Sequence, residues 1–148
     1  MHFVTGGAFN GKSQWVKEYY KLNETPHQWI SVYGGELPNL WTEKEAIYQQ
    51  PFMVFDGIES VFKVWVQKYD VSDIRDMWRS FIDSWNEWEQ NDPQRNVVII
   101  GTDFSKGIVP LQALDRKWRD VTGWAYQDIV SVAERVEIVW YGIARQIK

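Results

Sequence analysis

The chain contains no cysteine and only two histidines, His2 and His27. Disulfides, thiolate nucleophiles and thiolate metal sites are therefore excluded, and so is a histidine-rich metal centre. A basic excess is missing too. The formal net charge is −4, which argues against electrostatic binding to nucleic acid or to an anionic membrane. No apolar run is long enough to span a bilayer. Met1 leads directly into the first predicted strand, so no leader is expected and the cytoplasm is the expected compartment. Internal repeats, low-complexity tracts and interdomain linkers are also lacking. A length of 148 residues suits one domain with a single core, residues 1–148.

What the chain does have is a glycine-rich stretch near its start. Phe3 to Thr5 reads as a short buried strand. Gly6, Gly7, Ala8, Phe9, Asn10, Gly11, Lys12 and Ser13 then fit G-x-x-x-x-G-K-[ST] at every fixed position. Trp15, Val16 and Tyr19 recur at helical spacing, so a helix is expected from Gly11 to about Leu22. Strand, glycine loop and helix is the context in which this motif binds phosphate. Glycines let the backbone turn its N–H groups inward around phosphate oxygens, and the helix adds the positive end of its dipole. Lys12 is expected to reach the β- and γ-phosphates as a mobile charge, and the Ser13 hydroxyl to ligate Mg²⁺. The stretch predicts a site for a nucleoside triphosphate, GTP or ATP.

Farther along, Gln28 to Tyr33 reads as an aromatic and β-branched strand stopped by Gly34-Gly35. A short helix is predicted after Thr42, with Glu43 and Glu45 in its first turn. Phe52-Met53-Val54-Phe55-Asp56 is a continuous apolar run ending in an acid, which suits the interior of a parallel sheet. At the carboxyl end of that strand, Asp56 could hold Mg²⁺ opposite Ser13 or cap a helix starting near Ile58. The glycine loop favours the metal. Helices are predicted over Ile58 to Lys68, from Ser72 or Asp73 to about Asn91, and over Leu111 to Ala133. The middle one carries an apolar stripe through Ile74, Met77, Trp78, Phe81, Ile82, Trp85 and Trp88. The chain has ten tryptophans, and core and interface packing accounts for them better than a ligand box does. Val97 to Ile100 reads as a second buried strand ending at Gly101-Thr102-Asp103. The charged run Asp115 to Asp120 reads as a solvated helix face. Val136 to Tyr141 is a final strand, with Ile143 to Ile147 returning as an antiparallel edge strand. The pattern predicts an α/β protein: a P-loop NTPase-like three-layer sandwich with a mostly parallel sheet and a C-terminal antiparallel edge hairpin.

Two separated blocks resemble one family. They are Val4-Thr5-Gly6-Gly7-Ala8 with Gly11-Lys12-Ser13, and Gly107-Ile108-Val109-Pro110 followed by Trp118-Arg119-Asp120-Val121-Thr122-Gly123, Gln127 and the ending Val136 to Lys148. In order and spacing they resemble the bifunctional adenosylcobinamide kinase / adenosylcobinamide-phosphate guanylyltransferase family. The Pro51 to Gly57 run is similar to that family's central acid-tipped strand. The resemblance implies cobalamin assembly or salvage, a corrinoid small-molecule substrate, and homo-oligomeric assembly. It implies phosphorylation of the aminopropanol hydroxyl of adenosylcobinamide by a nucleoside triphosphate, then transfer of GMP through a guanylylated histidine. That histidine lies, in the family, between the second strand and the acid-tipped strand. Here the interval from Tyr33 to Phe52 has neither histidine nor arginine, and His2 and His27 lie outside it.

The expectation is therefore a phosphotransferase that keeps the first step, with Lys12 and Asp56 in catalytic roles and Ser13 and Asp56 holding Mg²⁺. Asp56 or Asp103 could orient the attacking hydroxyl. Two alternatives stand beside it: a P-loop kinase for another small alcohol, and a non-catalytic nucleotide-binding regulatory or assembly subunit.

Overall fold

The computed structural model describes residues 1–35, 50–104 and 110–148. The short helix predicted after Thr42 and the Gly107–Val109 part of the family-like block lie outside the described residues. In chain order the elements are β1 (His2–Gly6), α1 (Lys12–Tyr19), β2 (Gln28–Ser31), β3 (Phe52–Asp56) and α2 (Glu59–Trp65). They continue with α3 (Val71–Gln90), β4 (Asn96–Thr102), α4 (Ala113–Val132), β5 (Arg135–Trp140) and β6 (Ile143–Gln146).

The strands form one sheet in the order β2-β3-β4-β1-β5-β6. Every pairing is parallel except β5 with β6. The mostly parallel sheet and its antiparallel edge hairpin match the sequence expectation. Alternation along the strands sends side chains to both faces. Phe3, Met53, Phe55, Val97, Ile99 and Val136 pack with the stripes of α2, α3 and α4. Val4, Phe52, Val54, Val98, Ile100 and Val139 face the other way, against Val16 and Leu22 around α1. These two cores make three layers. Every residue of β3 is buried, including Asp56, as a strand covered on both faces requires.

Trp78, Trp85 and Trp88 of α3 are buried in the larger core, so the stripe packs on the sheet and on α4. The Trp78 indole N–H donates to the Ala125 carbonyl at 2.8 Å. Arg75 makes a two-pronged ion pair with Asp128, at 3.1 and 2.7 Å, and ties the two long helices together.

Some boundaries differ from the sequence reading for identifiable reasons. α1 stops at Tyr19 rather than Leu22 because Lys21 adopts a left-handed conformation, φ 48°. The Leu22 N–H then bonds the Lys17 carbonyl and the Lys21 N–H that of Glu18, a Schellman turn that buries Leu22. β2 ends at Ser31, and the chain turns at Tyr33 and Gly34 through a Gly35 N–H to Val32 carbonyl bond of 2.8 Å. The charged run on α4 is more than a solvated face. Lys117 donates to the carbonyls of Val66 and Tyr69 beyond α2, at 3.1 and 2.8 Å.

Candidate functional site: the glycine loop and the carboxyl edge of the sheet

β1 runs into the loop at Gly6, where φ is 150° and a Cβ would stand 2.2 Å from the Val139 carbonyl oxygen. Only glycine allows β1 and β5 to approach this closely. Gly11 caps α1 with φ 82°, so the chain turns directly from loop into helix at Lys12. The intervening Gly7, Ala8, Phe9 and Asn10 arch over the helix start. Phe9 holds a positive φ of 59° and is fully exposed.

Lys12 is 5% exposed, with its ammonium turned into the loop. It donates to the Gly6 and Gly7 carbonyls at 3.2 and 2.8 Å. Burial lowers its pKa below the usual lysine value, against the opposing pull of the Glu59 and Asp56 carboxylates. This is a desolvated cation held inside the glycine loop.

Asp56 is buried at the carboxyl end of β3. The Ser13 hydroxyl donates to its Oδ2 at 2.9 Å, and the Tyr33 hydroxyl to its Oδ1 at 3.1 Å. Partial burial, with Asp56 and Glu59 nearby, raises the Tyr33 pKa and keeps that hydroxyl protonated as a donor. The capping alternative for Asp56 is not what the structure holds. α2 is capped by Ile58 with no side-chain capping bond.

Around these groups opens a cleft of about 920 Å³, lined by Ala8 to Gln14, Tyr33 to Gly35, Glu59, Ser60, Lys63, Val64, Thr102, Phe104 and Trp118. Of the sequence-predicted residues, the structure brings Lys12, Ser13 and Asp56 together, with Ala8 to Ser13 on the cleft wall and the Gly6 and Gly7 carbonyls bound by the Lys12 ammonium. Asp103 is not among them. Its N–H donates to the Gly6 carbonyl at 2.9 Å, while the residue borders a second, smaller cavity.

Sequence reasoning gave no site role to Glu59, Tyr33, Lys63 or Trp118. Glu59 is buried in the first turn of α2, where its Oε2 accepts the Thr102 N–H at 3.0 Å. Its three-residue offset from Asp56 was a legible signal. Trp118 donates to the Glu59 carbonyl at 2.8 Å, its ring lies 4.2 Å from that of Phe104 at a tilt of 34°, and Lys63 lies over it at 4.9 Å. Nothing local in the sequence assigns that tryptophan to the cleft.

A divalent cation such as Mg²⁺ takes oxygen ligands and keeps several for water and phosphate. Ser13 Oγ and the Asp56 carboxylate, already in hydrogen-bond contact, suit that demand. Among the described residues no group of three or more histidine, cysteine or acidic side chains could hold a metal unaided. The donor set therefore fits a cation shared with a phosphate ligand.

A parallel sheet with helices on both faces, a glycine loop leading into a helix, and a lysine, serine and acid at its carboxyl edge define a P-loop NTPase-like α/β protein. The structure is similar to a flagellar accessory protein, FlaH, from Methanocaldococcus jannaschii, with a TM-score of 0.52 and 11% sequence identity. That match covers 99% of this chain and 77% of the other, a likeness of fold. The chain belongs to the cobinamide kinase / cobinamide phosphate guanyltransferase family, whose model matches residues 23–147. Membership makes it a transferase-family protein of cobalamin biosynthesis. The glycine loop precedes the matched region and stands on its own geometry. Among curated proteins none matches the chain. Among the described residues no helix is long and apolar enough to cross a membrane.

Proposed function

We propose that this chain, as one nucleotide-binding domain over residues 1–148, transfers the γ-phosphoryl group of GTP or ATP to the aminopropanol hydroxyl of adenosylcobinamide. The guanylyl-transfer step of its family is absent in this proposal, and the protein works as a homo-oligomer. The observation that carries the reading is the contact of Ser13 with Asp56 beside the buried Lys12 ammonium. A desolvated cation and a hydroxyl–carboxylate pair at the mouth of a glycine loop are the groups that phosphoryl transfer needs.

In this mechanism the glycine-loop N–H groups fix the phosphates, and Lys12 exchanges its two carbonyl partners for phosphate oxygens. Its charge acts in a water-poor setting, where it stabilises the spreading negative charge of the transition state most strongly. Ser13 and Asp56 would hold Mg²⁺, which would supply neutralisation of the triphosphate's negative charge. The acceptor hydroxyl oxygen bonds to the γ-phosphorus as the bridging P–O bond breaks and the nucleoside diphosphate leaves. The hydroxyl proton goes to Glu59. Asp56 is committed to Ser13 and Tyr33, and Asp103 lies at the other cavity, whereas Glu59, although its Oε2 accepts the Thr102 N–H, stands on the cleft wall.

The direct test is incubation of the purified chain with adenosylcobinamide, Mg²⁺ and γ-labelled GTP or ATP. Labelled adenosylcobinamide phosphate is the expected product. Nucleotide binding without label transfer would point to another small alcohol as acceptor or to a non-catalytic subunit.

A further inference from the structure

The triphosphate reading, on which this inference rests, leaves the nucleoside end of the ligand without a seat. The two flanks of the glycine loop differ. On the β3–β4 side of β1 stand Asp56, Glu59 and Thr102, the acid-bearing end of the cleft. On the opposite side β5 runs parallel to β1, so the turn joining β5 to β6 rises at the same edge as the loop. Loop and turn touch. The Gly142 N–H donates to the Asn10 carbonyl at 2.9 Å, and a Cβ on Gly11 would lie 3.3 Å from the Gly142 Cα.

This flank is apolar and open. Phe9 is 106% exposed, Tyr141 88% and Ile143 75%. Phe9 and Tyr141 both hold positive φ, 59° and 52°, which bulky side chains rarely adopt. Exposed aromatic rings on strained backbone, either side of a single backbone hydrogen bond, contribute nothing to the core. Such strain concentrates at ligand clamps, and such exposed apolar clusters at binding sites.

We propose that Tyr141 and Phe9 form a stacking platform for the purine base of the nucleoside triphosphate. A polyphosphate whose γ-end faces Asp56 and Glu59 leaves the cleft past Phe9, which stands on the cleft wall, toward the turn that carries Tyr141. The ligand class is a planar nucleobase, read by its π-face rather than by its hydrogen-bonding edge. Every base offers that face, so ATP and GTP bind with similar affinity.

The test is calorimetric titration of the full chain, in Mg²⁺, with ATP, GTP and inorganic tripolyphosphate. ATP and GTP should each bind on the order of tenfold more tightly than tripolyphosphate, the usual scale of one base on one aromatic ring. Tyr141→Asn, which tolerates the left-handed backbone, should erase that advantage and leave tripolyphosphate binding unchanged. Tyr141→Phe should keep it, and Phe9→Asn should reduce it. A Tyr141→Asn protein that retains the advantage, or that loses tripolyphosphate affinity equally, overturns the platform. So does a parent protein with no advantage to lose. A retained advantage together with a changed oligomeric state would assign the cluster to self-association instead. If the parent binds none of the three ligands, the phosphate reading itself fails, and the platform with it.

Discussion

Ser13 and Asp56, 43 positions apart in the chain, meet through a 2.9 Å hydrogen bond at the carboxyl edge of the sheet. The bond joins the first turn of α1 to the tip of β3, although β4 lies between β1 and β3 in the sheet. In the proposed reading, one cation would sit between this pair and a phosphate.

If that pair holds Mg²⁺, Asp56→Asn should weaken triphosphate binding roughly 10- to 100-fold with Mg²⁺ present, the usual scale for disturbing a metal's protein support. With EDTA the loss should nearly vanish. Because Asp56 caps no helix, the melting temperature of the free protein should change little. A mutant destabilised without nucleotide, and bound equally with or without Mg²⁺, would remove Asp56 from the metal.

Lys12→Ala should abolish the thermal stabilisation by Mg²⁺ and GTP or ATP, worth about 2.7 kcal/mol at a hundredfold excess over Kd. The parent should also show a pH dependence. Burial lowers the Lys12 pKa in the free protein, and phosphate needs the protonated form. Between the lowered value and the ordinary lysine value, the unfolded chain binds more protons, so the free protein gains stability with rising pH. Nucleotide affinity should fall over the same interval, with proton uptake on binding. Titrations in buffers of different ionisation enthalpy measure that uptake. Equal uptake in Lys12→Ala would trace it to another group.

Glu59→Gln separates proton acceptance from packing. The amide oxygen can still accept the Thr102 N–H, so the fold should hold. Loss of a general base costs about 10²- to 10⁴-fold in rate, and kcat should fall on that scale while KM stays within a few-fold. A change in KM with unaltered kcat would make Glu59 a positioning group only.

The fourth prediction concerns the missing nucleophile. His27 precedes β2, and its Nδ1 donates to the Thr25 carbonyl at 2.8 Å. His2 opens β1 and is buried between Glu137 and Tyr20. Both lie at the amino edge of the parallel sheet, a strand length of roughly 13 Å from the loop. α-Labelled GTP with Mg²⁺ should therefore leave no covalent label after denaturation. An acid-labile, base-stable GMP adduct on His27 would contradict this.

The sequence by itself determined the features that depend on neighbours along the chain. The glycine spacing from Gly6 to Ser13 prescribes a loop that only a strand-to-helix turn can use. The apolar runs Phe52–Asp56 and Val97–Ile100 have no polar face, so they belong inside a doubly covered parallel sheet, with Asp56 at its tip. The stripe on α3 likewise declares its buried side. Tertiary structure decided what depends on distant partners. That β4 lies between β1 and β3 follows from packing three helices on one face, and no local pattern encodes it. Tyr33, beyond the end of β2, reaches Asp56 of β3, and Glu59 of α2 is held by the Thr102 N–H at the end of β4 and by Trp118 of α4. Asp56 and Asp103 look equivalent in sequence, each an acid at the end of a buried strand. Asp56 is the last residue of β3, opposite Ile100, whereas Asp103 lies past the end of β4, so one meets Ser13 and the other borders a different cavity.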